Sequence, residues 1–372
     1  MISRSTLHRK SQLVRGATTV VAILASLGVT VPALASTLVQ NSSWTINRSG
    51  TSTKYRIVAY GDSIYAGNNG SIWRVSKRAA PVVAGEYASE AWNADIEVKR
   101  RTKSGAVASD IYNNKIIADR SYMQQPHTRI VTFEMCGNDY LQARNDFRDQ
   151  NGTCDLDGLD DALAACTYYT EAAMQAINQY ATTAKAKVVS NLYYPGHDDD
   201  DRSSNCTNSQ TGQSMNNQDV FLPYLVASNW RTCNLAEQYG FDCADSFAVY
   251  MGADYDSNGD GIVDSEALRY QSGESEADYV HRITVTLRDT LRDSNFKLRD
   301  ATTSFDYLLS DNTHPTYTGG TIRSGLFKPT GSGSGSPKYS GSQIVDGKNP
   351  VWDVYGHDRM GHALSEFNPE NP

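Results

Sequence analysis

The residues best placed to do chemistry in this chain are a serine, a histidine and an aspartate. Ser63 closes the triplet Gly61-Asp62-Ser63, directly after the apolar run Arg56-Ile-Val-Ala-Tyr60. A serine hydroxyl is a weak nucleophile until a neighbouring base takes its proton, and the base needs an acid to orient it. Asp311-Asn-Thr-His314-Pro315 supplies both: three positions separate carboxylate from imidazole, so one short turn holds the two together. An attacked carbonyl then needs hydrogen-bond donors for its developing oxyanion. Two candidates follow strand-like runs of their own, Gly137-Asn138-Asp139 after Arg129–Glu134 and Ser104-Gly105 after the alternating Asp95–Arg100. Such a set suits acyl transfer to serine followed by hydrolysis. His357 and His362 are rival bases, but neither has an acid three residues before it. Ser63 does not sit in the G-x-S-x-G elbow of ordinary α/β-hydrolases.

A second constellation spans residues 254–266. Counting from Asp256, oxygen-bearing side chains fall at positions 1, 3, 5 and 9 (Asp256, Asn258, Asp260, Asp264), with Gly261 at position 6. Ile262, at position 7, offers a backbone carbonyl. Alternate side chains aim at one centre and the glycine permits the sharp turn, so the loop resembles an EF-hand or dockerin-type calcium loop. Position 12 is Ala267 where a bidentate Glu is expected, and Glu266 stands one place early. A structural calcium ion is the expectation here, with no cofactor for catalysis. By contrast, Asp198–Asp201 has no ligand spacing and reads as a solvated loop.

Gly-Asp-Ser-Ile at 61–64, Gly105, Gly-Asn-Asp at 137–139 and Asp311-x-x-His314 occur in that order. In this the chain resembles the SGNH/GDSL serine hydrolase superfamily over about residues 55–320. Two details depart from that pattern: Ile64 stands where Leu is usual, and Gly137 directly precedes Asn138 where members carry G-x-N-D. The resemblance implies Ser63 as nucleophile, His314 as general base and Asp311 as the group orienting it. It also implies an oxyanion hole from the Ser63 and Gly105 backbone N–H groups and the Asn138 side-chain amide. Members usually run from the histidine straight into a final helix. Here a Gly/Ser-rich insertion around 320–350 intervenes, before a helix-like ending at Asp358–Leu364. The insertion is expected at the surface rather than over the site.

Positioning these residues takes strands that end beside them. Residues 56–60, 95–100, 129–134 and 187–192 are short, rich in β-branched residues and stopped by Gly, Asn or Pro, which predicts four strands. Helical spacing predicts helices over about 159–185, 221–239 and 275–294, the last starting at a Ser275/Asp278 cap. Strands alternating with helices imply a three-layer α/β/α sandwich with a mainly parallel sheet, flavodoxin-like in kind. Ligands then bind beyond the carboxyl ends of the strands, which is where Ser63, Gly105 and Asn138 would lie.

The first 35 residues read as a cleaved export signal: Arg4, Arg9, Lys10 and Arg15, an apolar run from Ala17 to Leu34, then Ala33-Leu34-Ala35. Residues 36–372 form a single hydrolase domain in this reading. Removing the signal leaves 30 Lys+Arg against 42 Asp+Glu, a net charge of −12. That balance excludes nucleic acid and anionic membrane surfaces, which need clustered cations. Lys99-Arg100-Arg101-Thr102-Lys103 is short enough to be the rim of a strand. Six cysteines in an exported chain favour disulfides, with Cys154–Cys166 and Cys206–Cys233 the expected pairs. The expected protein is a secreted or periplasmic monomer, without a membrane span, that hydrolyses carboxylic esters. Its substrate is a lipid or short-chain ester, or an acetyl ester of a polysaccharide; 22 tyrosines and the acidic balance lean toward carbohydrate or soluble esters. The alternative is a non-catalytic, calcium-dependent binding module on the same fold.

Overall fold

Ile57, Val58, Ala59 and Tyr60 run without a polar residue to face water, so their strand must be covered on both faces. All four are buried, and they form the middle of the sheet. The computed structural model describes residues 40–48, 50–71, 74–195, 203–253, 255–292, 308, 313–316 and 356–372. The expected signal at 1–35, the acidic run Asp198–Asp201, Asp254, Asp311 and the insertion at 320–350 lie outside the described residues.

Six strands make the sheet: β1 (Ser42–Ile46), β2 (Lys54–Gly61), β3 (Asp95–Thr102), β4 (Thr128–Phe133), β5 (Ala186–Ser190) and β6 (Asp242–Ala244). Their order is β1-β3-β2-β4-β5-β6; β1 alone pairs antiparallel, at one edge. Among the parallel strands the order is second, first, third, fourth, fifth, the flavodoxin-like arrangement. The chain leaves β2 toward one side and later returns to β4 on the other. The carboxyl ends of β2 and β4 therefore flank the switch point, with Tyr60 opposite Phe133.

The helices are α1 (Ser63–Ala66), α2 (Ala80–Trp92), α3 (Gly137–Asp149), α4 (Asp157–Tyr180), α5 (Asn217–Tyr239), α6 (Ser246–Met251), α7 (Asp264–Ala267), α8 (Glu276–His281) and α9 (Gly356–Ser365), with a further turn at Ala108–Ile111. They cover both faces of the sheet: α2 and α9 pack together beside β1 and β3, and α4 packs on α5, which lies on β5 and β6. A Cβ on Gly361 would stand 2.3 Å from the Val83 Cβ, so α9 approaches α2 this closely only without a side chain there. None of the described helices is long and apolar enough to cross a membrane.

The predicted strands and two of the three long helices are present within a few residues. The third is not continuous: α8 gives way to a wider turn at Arg282–Thr286 and a tight one at Arg288–Thr290. Ile283-Thr284-Val285-Thr286 is a β-branched run, poor in helix propensity, and Thr284 Oγ1 donates back to the Val280 carbonyl at 2.7 Å. Ser275 does cap α8, accepting from Asp278 N.

The cysteine pairing corrects the expectation. The disulfides are Cys154–Cys206 and Cys233–Cys243. Cys166 points from α4 into the core beside Cys136, both as thiols, so it does not reach the surface loop of Cys154. That loop instead lies along residues 203–207 through a Thr153–Thr207 bridge. Gly240, in the left-handed region at φ 70°, turns the chain from α5 back into β6 and brings Cys243 to Cys233.

The basic run on β3 is used internally. Arg100 is buried and donates to the carbonyls of Ala66 and Ser76 and to Ser42 Oγ; burial lowers its pKa to about 10. Lys99, Arg101 and Lys103 pair with Glu97, Asp119 and Asp110.

Candidate active site

Ser63 is the first residue of α1, one step beyond the turn that ends β2. That turn is crowded: a Cβ on Gly61 would lie 2.5 Å from Glu134 Oε1 and 2.9 Å from the Tyr65 Cβ, so glycine is required. Asp62 shapes the rest. Its Oδ1 accepts from Ile64 N at 2.8 Å, its Oδ2 from the Asn138 amide at 2.9 Å, and its own N–H donates to Glu134 Oε1 at 2.8 Å.

Asp62 and Glu134 are both fully buried, side by side. Burial pushes the carboxyl of each upward, and the Asp62 charge pushes Glu134 further, well above the usual range. Two adjacent carboxylates in a dry site cannot both ionise. Glu134 therefore keeps its proton and hydrogen-bonds to Asp62, which carries the charge. Hydrogen bonds from Glu134 and Ile64 N draw Asp62 back toward the ionised form.

β4 ends at Phe133, and the chain then turns through Cys136, which has φ +82°. A non-glycine residue there is strained. The turn starts α3 at Gly137 and presses it against Asp62: a Cβ on Gly137 would be 3.0 Å from Asp62 Oδ2. The Asn138 Nδ2 uses both hydrogens, one to Asp62 and one to the Ala106 carbonyl, each at 2.9 Å. Asp139 Oδ2 accepts from Ala108 N at 2.9 Å, and burial raises its pKa to about 6. These two bonds tie the Gly137–Asp139 block to the loop of Gly105, itself in the left-handed region at φ +73°. Ser63, Gly105 and Asn138 thus gather at one end of the sheet, as their strand positions predict.

A cleft of about 490 Å³, open to solvent, lies over Ser63. Ser63, Gly137, Asn138 and Thr313 line it, with walls from Ile64, Tyr140, Leu141, Tyr193, Phe221 and Leu225. Tyr193 stacks on Tyr250 and donates its hydroxyl to the Thr313 carbonyl at 2.6 Å. This fixes the residue before His314 on the cleft wall, and His314 follows half-buried. The rival bases stand elsewhere, on α9. His357 is fully buried, its Nδ1 accepting from Ala80 N at 3.3 Å, and burial depresses its pKa to about 3. His362 is exposed and stacks on Tyr87. Neither lines the cleft.

Sequence reading missed Glu134, Asp62 and Tyr193. Glu134 did offer a signal: a carboxyl at the end of an otherwise apolar strand needs a partner. Among the described residues, Cys136, Asp139 and Cys166 bring three potential metal-ligand atoms within 4.8 Å of one another. Burial pushes both thiols up, which favours neutral S–H groups over the thiolates a metal needs.

No protein-family model and no curated protein matches the chain. Among solved structures it is similar to the lipase Lip_vut3 from a goat rumen metagenome, at 17% identity, 53% of this chain, 82% of that one and TM-score 0.41. It is similar to an extracellular lipase from Streptomyces rimosus, at 18% identity, 61% of this chain, 94% of that one and TM-score 0.40. It is also similar to the acetylxylan esterase Axe2 from Geobacillus stearothermophilus, at 12% identity, 66% of this chain, 96% of that one and TM-score 0.34.

Proposed function

We propose that the protein is an exported serine hydrolase of carboxylic esters, working through an acyl-serine intermediate. The observation that carries this reading is the placement of Ser63: it stands at the carboxyl end of the central strand, beside the switch point, under an apolar cleft that Thr313 also lines. Ser63 Oγ attacks the ester carbonyl while His314 takes its proton, with Asp311 orienting the imidazole. The tetrahedral intermediate collapses, His314 returns the proton to the leaving alcohol, and water releases the acid by the same steps. The backbone N–H groups of Ser63 and Gly105 serve the oxyanion. The Asn138 amide joins them by giving up the neutral Ala106 carbonyl while keeping the charged Asp62, the stronger acceptor.

The Ile64, Leu141, Phe221 and Leu225 walls suit an apolar acyl or alkyl group better than a polysaccharide backbone. The two disulfides support an oxidising compartment, in keeping with export.

A fluorophosphonate probe tests the assignment. Intact protein gains one covalent adduct, and Ser63→Ala gains none; labelling of Ser63→Ala at the wild-type rate would falsify it. A graded series of p-nitrophenyl esters then reads the acyl preference, with acetylated xylan as the carbohydrate arm.

A further inference from the structure

Asp264 is 2% exposed, and its Oδ2 has no hydrogen-bond partner among the described residues. No described cation pairs with it either. An isolated carboxylate oxygen in a dry site is costly, by an amount that ordinarily calls for a bound ion, a water or a proton. The other oxygen shows which way the group faces: Asp264 Oδ1 accepts from Ser257 N at 3.1 Å, and Asp264 N donates to the Tyr255 carbonyl. The carboxylate is therefore turned inward on the loop that runs from Tyr255 to Ile262.

That loop carries the oxygen pattern already noted. Asp256 accepts from the N–H groups of Gly259, Asp260 and Gly261, which wraps the backbone around its carboxylate. Asn258 Oδ1 accepts from Asp260 N, and Asp260 Oδ1 accepts from Ile262 N. Gly259 and Gly261 take φ values of +81° and +91°, which the tight winding requires. α7 begins at Asp264, so position 9 of the loop is also where a helix resumes.

We propose that Asp256–Asp264 is a calcium site, with ligands from the side chains of Asp256, Asn258, Asp260 and Asp264 and from the Ile262 carbonyl. All five are oxygens, three of them carboxylate, on a flexible and mostly exposed loop. Such a set suits calcium, which accepts varied geometry, over magnesium, which demands a near-ideal octahedron. Ala267 removes the bidentate ligand of position 12, and Glu266 is engaged with Arg269 at 3.1 Å. Affinity therefore falls in the range of extracellular modules, Kd roughly 10⁻⁴–10⁻³ M. In this structure backbone N–H groups of the loop donate to Asp256 and Asp260, and binding exchanges part of that bonding for the cation. The ion's role is to hold the end of α6 against α7: a Cβ on Gly252, the residue after α6, would lie 2.5 Å from the Ser265 Cα.

Terbium luminescence tests the site, with Tyr255, 46% exposed beside the loop, as the sensitiser. Wild-type protein shows saturable Tb³⁺ emission that Ca²⁺ displaces and Mg²⁺ at equal concentration does not. Millimolar Ca²⁺ raises its Tm by about 2 °C or more, and a chelator reverses the rise. Asp264→Asn keeps the shape and the acceptor for Ser257 N, and loses affinity at least about tenfold. Asp260→Ala, at an exposed position where folding is not at stake, does the same. Emission that never saturates overturns the proposal. So does binding that both variants retain in full, or a chelator-insensitive Tm in protein shown to carry calcium; each would leave Asp264 to a water or a proton. None of these readouts depends on Ser63.

Discussion

Two groups of carboxylates in this molecule face the same electrostatic difficulty and meet it differently. Behind Ser63, Asp62 and Glu134 lie buried against each other, and a proton on Glu134 removes one of the two charges. In the loop at 256–264, backbone N–H groups hold Asp256 below the usual carboxylate range, led by Gly261 N. Burial accounts for the contrast. Where water is excluded the carboxyl rises and keeps its proton; where backbone donors surround it in water, it stays charged and available to a cation. Asp264 lies between these cases, a carboxyl at the loop's buried end with one oxygen that has no partner among the described residues.

The largest expected effect comes from disturbing the buried pair. Asp62→Ala frees the Asn138 amide and strips Ile64 N of its acceptor. We expect kcat for ester hydrolysis to drop roughly 10²-fold with little change in KM, because in the proposed mechanism Asp62 positions the oxyanion donor Asn138 rather than binding substrate. An unchanged kcat would mean that Asn138 needs no such support.

Next comes the proton itself. Glu134→Ala removes the acceptor of Asp62 N and leaves a void, and should destabilise the fold by about 3 kcal/mol in urea titration. Glu134→Gln imitates the protonated acid and should stay within about 1 kcal/mol of wild type. A larger loss in the Gln variant would show that Glu134 is ionised, erasing the contrast with the loop.

The pH dependence should separate the two regions by sign. Glu134 has a folded pKa above the 4.5 of an unperturbed Glu, so the unfolded chain releases its proton first. Its stabilising contribution is complete below pH 4.5 and is lost as pH rises through the folded value. Asp139 behaves alike, between 3.8 and about 6. Asp256 is shifted the other way: its contribution is present above pH 3.8 and is lost as pH falls through the lower folded value. Urea midpoints followed from acid to neutral pH should fall across the upper range in wild type. They should fall less in Glu134→Gln and Asp139→Asn. The smallest effect is expected at the loop without metal: Asp260→Ala should change stability by no more than about 0.5 kcal/mol when calcium is absent.

Much of this architecture is legible in one sequence. β2 and β4, which end in Gly-Asp-Ser and Cys-Gly-Asn, are apolar, β-branched runs because a parallel strand covered on both faces has to be apolar, whereas β3, before Ser-Gly, is legible by its alternation of half-buried and buried residues. Other elements are not legible. α2 has no clear amphipathic stripe, since α9, β1 and β3 cover it on several sides. The edge strand β1 is named only by its pairing with β3. α8 breaks early because its β-branched continuation finds other hydrogen bonds, which helical spacing does not report.

By itself the sequence determined the end of the sheet at which Ser63, Gly105 and Asn138 meet, since alternation of strand and helix sets it. It also determined the calcium-like spacing from Asp256 to Asp264, because a loop's ligands are local. Only the tertiary structure decided what depends on distant parts of the chain. It placed Glu134, 72 positions from Asp62, against that residue's N–H, chose the partners of Cys206 and Cys233, put His357 and His362 outside the cleft lining, and left one oxygen of Asp264 buried without a partner among the described residues. Local pattern states what a residue is able to do; charge state, covalent partner and burial follow from what the rest of the fold brings against it.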